Sequence, residues 1–302
     1  TIPEGYLIGS TQADQYFVAD QRYSLAELER IYTQPLADVF TEIDLIDQPL
    51  ELDQVAPFSS LEPIQSSLKV LIPVMTGTNG EYDLYQSFKE YTDQVDFYVI
   101  KESIDYAQSI KELKDKLADY DILALPDGMI QGNQTEFGKS VELLLQDLGE
   151  ALERFIKDHY VLGIGASFAG LIRSGLIEFS RLQAGTQIRI QKNPYDKTIN
   201  EIVSATVIRP SIYAGVGQYH TALASKWLAV DCDDSLESQV ISRFNRFLAG
   251  HSAIDAMMDS TGHVFGSIGN FERFSHKGLV NQSIHQAPFI QGLVQAIEGE
   301  RK

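Results

Sequence analysis

Residues 160–176 read YVLGIGASFAGLIRSGL. Tyr160, Val161 and Leu162 form an apolar run that enters a Gly-rich turn, and Leu171 and Ile172 then begin an amphipathic helical pattern. Strand, sharp turn and helix in this order is the layout that holds a nucleophile at the C-terminal edge of a sheet. Such a turn carries a Cys or Ser at its apex. Here the apex falls on Gly165, which has no side chain.

The flanking sequence alternates strand and helix. LKVLIPVM (68–75), VDFYVI (95–100), DILALP (121–126) and YVLGIG (160–165) are short branched-apolar runs. Runs of this kind suit parallel strands buried on both faces. Helical periods lie between them at 84–92, 109–120 and 140–159, the last expected as one long helix. The alternation predicts a mostly parallel sheet with helices on both faces. Ligands of such sheets sit beyond the C-terminal strand ends, where the turns 76–83, 126–134 and 163–168 fall.

After the 171–178 helix the pattern becomes β-rich, with strands expected at 186–191, 202–209 and 227–230. DDSLESQVISRFNRFLAG (233–250) reads as a helix capped by Asp234 or Ser235. AIDAMMDSTGHVFGSIGN (253–270) reads as a hairpin, and a last helix is expected from Pro288 to Ile297. Upstream, YSLAELERIYTQPLADVF (23–40) predicts a helix capped by Ser24, with Pro35 starting a further turn over Leu36, Val39 and Phe40. The expected division is a helical segment over 1–47, a Pro- and Ser-containing linker over 48–67, and the main domain over 68–302.

Composition narrows the class. The chain has 302 residues, 44% hydrophobic, and a formal charge of −18. A strongly acidic chain lacks the basic face of a nucleic-acid binder, and an anionic membrane surface is disfavoured on the same ground. No apolar run approaches the length of a membrane span, and the start has no secretory pattern of basic then apolar residues. Thr1 in place of Met suits a piece of a longer polypeptide. Cys232 is the one cysteine, so neither an internal disulfide nor a Cys-based metal site is expected. That usage fits a reducing, cytoplasmic setting. The six histidines show no ligand spacing, and the Gly-containing loops 76–80 and 125–134 lack a phosphate-cradle motif. No cofactor or metal is expected.

Taken in order, the turns resemble a known family. From about residue 68 onward the chain is similar to the class I glutamine amidotransferase domain of phosphoribosylformylglycinamidine (FGAM) synthase, in the large single-chain form. VLIPVMTGTNGEYD (70–83) resembles the family's first strand and P-G-T-N-C-E-Y-D turn. DILALPDGMIQGN (121–133) stands where the family has a strand and P-G-G-F. GIGASFAGLIRSGL (163–176) aligns without a gap on the G-I-C-N-G-F-Q-A-L-I elbow, and HVFGSIGNFERF (263–274) lies on the closing G-x-M-G-H-P-E-R. The segment 23–40 resembles the tail of the synthase domain that precedes the amidotransferase domain. The resemblance implies a flavodoxin-like α/β fold and, as partner, an FGAM-synthase-type domain in the same or another polypeptide.

It also implies a degenerate site. The family hydrolyses glutamine through a Cys-His-Glu triad. The thiolate attacks the amide, the imidazole relays the proton and the carboxylate orients the imidazole. On this alignment the cysteine position is Gly165 and the histidine position is Asn270, while the carboxylate survives as Glu272. The oxyanion and substrate turns map to Asp127, Gly128 and Ala166, with Asp127 replacing a glycine. A carboxylate there opposes developing negative charge. The family's second elbow glycine and its glutamine fall on Ser167 and Ala169, and its H-G-E-G segment falls on QYHTALASKW (218–227). The implied reading is an inactive amidotransferase domain with a structural or regulatory role, or one serving an ammonia-dependent synthase.

Two alternatives stand beside it. One is a hydrolase with a relocated nucleophile. Ser167 sits in a G-x-S-x-A sequence close to G-x-S-x-G, with His220, His263 or His276 as a base, and Cys232 precedes a helical start. The other is an interaction module detached from purine metabolism. Glu272 with Arg273 reads as a structural ion pair or hydrogen-bonded corner.

Overall fold

The computed structural model describes residues 9–11, 15–18, 21–33, 55–58, 64–191, 199–225, 229–245, 253–274 and 285–301. They belong to two units, Thr1–Asp44 and Leu45–Lys302.

In the first unit, β1 (Gly9–Thr11), β2 (Gln15–Val18) and β3 (Gln21–Ser24) form an antiparallel sheet in that order, followed by α1 (Leu25–Thr33). The Ser24 hydroxyl accepts the Glu27 N–H at 3.2 Å, the expected cap. The three strands have no counterpart in the sequence reading, which put only a helical segment here. At three or four residues each they are too short to show a period of two. Residues 34–54, including Pro35, Leu36, Val39 and Phe40, lie outside the described residues, as does most of the expected linker.

The second unit is built on one 11-stranded sheet. Its elements begin with β4 (Ser66–Val74), α2 (Glu81–Lys89), β5 (Thr92–Val99), α3 (Tyr106–Leu117) and β6 (Ile122–Leu125). There follow α4 (Gln134–Leu148), α5 (Glu150–Phe155), β7 (Tyr160–Ile164), α6 (Ala166–Arg173) and α7 (Leu176–Phe179). Then come β8 (Arg189–Gln191), β9 (Ile199–Val207), β10 (Gly217–Ser225) and β11 (Ala229–Asp231). The chain closes with β12 (Val240–Phe244), β13 (Ile254–Met258), β14 (Val264–Ser267) and α8 (Phe289–Glu300).

The strands β5-β4-β6-β7-β14 pair in parallel, and β13, β12, β9 and β10 extend the same sheet antiparallel. The β-rich stretch therefore continues the main sheet. Every residue of β6 and β7 is buried, which is why both read as unbroken apolar runs rather than alternating ones. The fold class is the expected flavodoxin-like α/β arrangement.

Three local expectations are corrected. The helix expected over 233–250 is a 3-10 turn, Asp234–Gln239, followed by β12. Val240 and Ile241 are β-branched and fully buried, and β12 is held between β13 and β9. A short apolar run of this kind does not separate helix from strand by period alone. The segment 217–225 is the nine-residue β10, paired with β9 throughout, where no strand was read. The long helix expected over 140–159 breaks at Gly149, whose φ of 53° lies in the left-handed region, where glycine pays no steric penalty. The hairpin of β13 and β14 and the last helix stand where expected.

An aromatic cluster packs α8 against the sheet. The Phe289 ring lies 4.9 Å from that of Phe265, 5.1 Å from that of Tyr219 and 5.0 Å from that of Phe271. These contacts join α8, β14, β10 and the loop after β14, and edge-to-face pairs of this kind add to simple burial.

Candidate functional site

The C-terminal ends of β4, β6, β7 and β14 bring four turns together. The turn after β4 hydrogen-bonds the turn after β6, with the Asn79 N–H donating to the Asp127 carbonyl and the Met129 N–H to the Gly77 carbonyl, both at 2.8 Å. The loop after β14 is tied on two sides. Asn270 donates its N–H to the Ala222 carbonyl of β10 at 2.7 Å, and the Ser87 hydroxyl of α2 donates to the Glu272 carbonyl at 2.9 Å.

The elbow itself is Gly165, between β7 and α6, with φ 57° and ψ −120°. Its N–H donates to the Ser267 carbonyl at the end of β14, 2.8 Å away. Backbone of this kind is costly for any residue with a Cβ.

Asp127 reaches across from the β6 turn. One carboxylate oxygen, Oδ1, accepts the N–H groups of Gly128 and Ala166, each at 2.8 Å. Its other oxygen accepts the Asn270 side-chain amide at 3.2 Å. The same amide nitrogen lies 3.2 Å from Glu272 Oε1. Arg273 approaches both acids at 3.9 Å, one guanidinium nitrogen to Asp127 Oδ2 and Nε to Glu272 Oε1.

Both carboxyls are buried, and burial dominates their chemistry. It pushes Asp127 above the usual carboxylate range against four favourable contacts, the largest being the Ala166 N–H. It pushes Glu272 up to about 8, against Arg273 and helped by the neighbouring Asp127 charge. A charged group in a low-dielectric site gives up its charge where partners do not compensate.

The structure thus gathers Gly165, Ala166, Asp127, Gly128, Asn270 and Glu272 in one place. Ser167 is beside them but is 1% exposed, and its hydroxyl donates to the Pro126 carbonyl at 2.5 Å. Cys232 follows β11, a strand that joins the sheet through β13 and β8. Burial, and after it Glu237, raises the Cys232 thiol to about 11. His220 Nδ1 accepts the His285 N–H at 3.0 Å. His263 Nδ1 pairs with the Ile156 carbonyl at 2.7 Å. His276 lies outside the described residues. Among the described residues, no three His, Cys, Asp or Glu side chains form a group that could hold a metal ion.

Two features of the site were not read in the sequence. Arg273 faces Asp127 as well as its neighbour Glu272, a contact that only the meeting of two distant turns creates. The other is a further buried acid, Asp255 on β13, which accepts from Tyr219, from Ser242 at 3.0 Å, from Ser267 at 3.1 Å and from the Gly269 N–H at 2.9 Å. Its signal was present, as an acid in the middle of the apolar run AIDAMM.

A family model described as a CobB/CobQ-like glutamine amidotransferase domain matches residues 67–224. That span includes Asp127, Gly165 and Ser167 and stops before Asn270 and Glu272. Comparison with curated proteins found no match. Among solved structures, that of PurLQS from Thermotoga maritima is similar, with a TM-score of 0.55 and 18% identity over 78% of this chain and 100% of that one. The glutaminase domain of CTPS from Trypanosoma brucei, with bound acivicin, has a TM-score of 0.48 and 9% identity over 77% of this chain and 94% of that one. No helix among the described residues is long and apolar enough to cross a membrane.

Proposed function

This chain belongs to the CobB/CobQ-like glutamine amidotransferase domain family, and we propose that it is a member that does not hydrolyse glutamine. The observation that carries the proposal is the apex of the elbow. Gly165 occupies the strand-to-helix turn where this chemistry needs a nucleophile, and it offers none. Acyl transfer from an amide requires a group that bonds to the carbonyl carbon and a base that takes the proton. At the position aligned with a histidine, Asn270 supplies an amide that donates toward two carboxyls. It has no basic nitrogen. Glu272, the aligned carboxylate, faces this same amide at 3.2 Å.

The relocated-nucleophile reading loses support at both candidates. The Ser167 hydroxyl is buried and committed to the Pro126 carbonyl. The Cys232 thiol, raised to about 11, favours its neutral, weakly nucleophilic form.

In this reading the domain acts through its surface. Its partner is an FGAM-synthase-type domain, in the same or another polypeptide, that draws on free ammonia, and its setting is the cytoplasm. The resemblance of the turns and of the segment 23–40 supports that partner, and the fold shared with PurLQS is compatible with it. The test is ammonia release from glutamine by the purified chain, alone and with a synthase domain. No release, with synthase activity that follows added ammonium salt and responds to this chain, is the expected result. Release above the uncatalysed rate overturns the proposal.

A further inference from the structure

The elbow still presents two backbone donors, and they are already in use. The N–H groups of Gly128 and Ala166 converge on a single oxygen of Asp127 at 2.8 Å each. Two N–H groups aimed at one point are the geometry that stabilises an oxyanion. Ala166 opens the eight-residue α6, whose N-terminal dipole favours negative charge. A third donor, the Asn270 amide, serves the second oxygen.

The same carboxylate takes up the space over the apex. An ideal Cβ on Gly165 would fall 2.3 Å from Asp127 Cγ and Oδ1 and 2.7 Å from Oδ2. Contacts that short require a shift, and the groups that would have to move are buried and hydrogen-bonded. A side chain at residue 165 therefore requires the Asp127 carboxyl to leave the position in which it meets its donors.

We propose that Asp127 is a resident occupant of the oxyanion hole, which locks the 126–128 turn onto the elbow and closes the site to external carbonyl groups and small carboxylates. This rests on the reading of the site as one without turnover and names what fills it. The elbow keeps the shape of an acyl-transfer site because an internal carboxyl oxygen satisfies the donors that the shape exposes.

A double-mutant cycle tests the exclusion. Thermal unfolding is measured for Gly165→Ala, Asp127→Gly and the double variant. Strain at the positive φ of residue 165 is common to both backgrounds and cancels. The expected result is a large loss of melting temperature for Gly165→Ala in the wild-type background and a much smaller loss beside Asp127→Gly. Equal losses overturn the proposal.

The amide signals of Gly128 and Ala166, followed by NMR during titration with sodium formate, test the occupancy. They are expected to stay fixed in the wild-type chain and to shift saturably in Asp127→Gly. Wild-type shifts matching those of the variant, or a folded variant that does not respond, overturn it. Should Asp127→Gly not fold, hydrogen exchange of the two wild-type amides decides. Protection that formate leaves unchanged supports the lock, and exchange at unprotected rates overturns it. Ammonia release by the wild-type chain would refute the functional reading, while the cycle would still judge the lock separately.

Discussion

The hydroxyl of Ser167 donates to the carbonyl of Pro126 at 2.5 Å, beneath the elbow and out of reach of solvent. The bond ties the first turn of α6 to the end of β6. Ser167→Ala is expected to cost about 1 kcal/mol of stability, in line with one buried hydrogen bond lost, when measured by urea unfolding. A fluorophosphonate probe is expected to leave the wild-type chain unlabelled. Labelling at Ser167 would restore the serine-hydrolase alternative.

Glu272 gives the fold a pH dependence of known sign. Its ordinary value is 4.5, and burial raises it to about 8 in the folded chain. The folded state therefore binds the proton more tightly than the unfolded state. Its contribution is complete below 4.5 and is lost as pH rises through 8, with a slope of up to one proton, ~1.4 kcal/mol per pH unit. Asp127 and Asp255 are shifted in the same direction. Unfolding free energies of Glu272→Gln, measured from pH 5 to 9, are expected to fall less steeply than those of the wild type. An equal slope would mean that Glu272 titrates near its ordinary value.

Asp255 ties β13 to β10, β12 and β14, the last being the strand paired with β7 beside the elbow. It accepts from Tyr219, Ser242, Ser267 and the Gly269 N–H. The Ser267 carbonyl in turn accepts the N–H of Gly165. Asp255→Ala strands several buried donors at once and is expected to cost about 3 kcal/mol or more. Tyr219→Phe removes one donor and leaves the rest, at about 1–2 kcal/mol. Denaturant unfolding of the two variants checks the order, and a cost for Tyr219→Phe equal to that of Asp255→Ala would show that the acid contributes little.

Cys232 is expected to resist alkylation. With its thiol raised from 9.0 to about 11, its thiolate population at neutral pH falls on the order of 100-fold below that of an unperturbed cysteine. Iodoacetamide labelling at pH 7.5, followed by intact mass, is expected to be slow in the folded chain and rapid in urea. Fast labelling of the folded chain would make Cys232 a reactive thiol.

The parallel half of the sheet was legible because central strands buried on both faces leave largely apolar runs, as LKVLIPVM and YVLGIG do. The antiparallel half was harder to read. β12 has a buried serine and a half-buried arginine inside a five-residue strand, and β10 mixes His220 and Thr221 with alanines. In the site, the identities of Gly165, Asn270 and Asp127 could be read from the aligned turns. Their relationship could not. The resemblance of the turns puts Asp127 at a glycine position, and an opposing charge is the natural inference. Only the meeting of the β6 turn with the elbow shows the carboxylate accepting from both donors. The loop of Asn270, Glu272 and Arg273 is likewise placed by β10 and α2, far away in sequence.

By the proposed function, this cleft forms no covalent bond to a glutamine-like carbonyl. Incubation of the purified chain with a diazoketone analogue of glutamine, followed by intact-mass and peptide mass spectrometry, is expected to leave the mass unchanged. A stoichiometric adduct on Ser167, Cys232 or any other side chain of the cleft would contradict it.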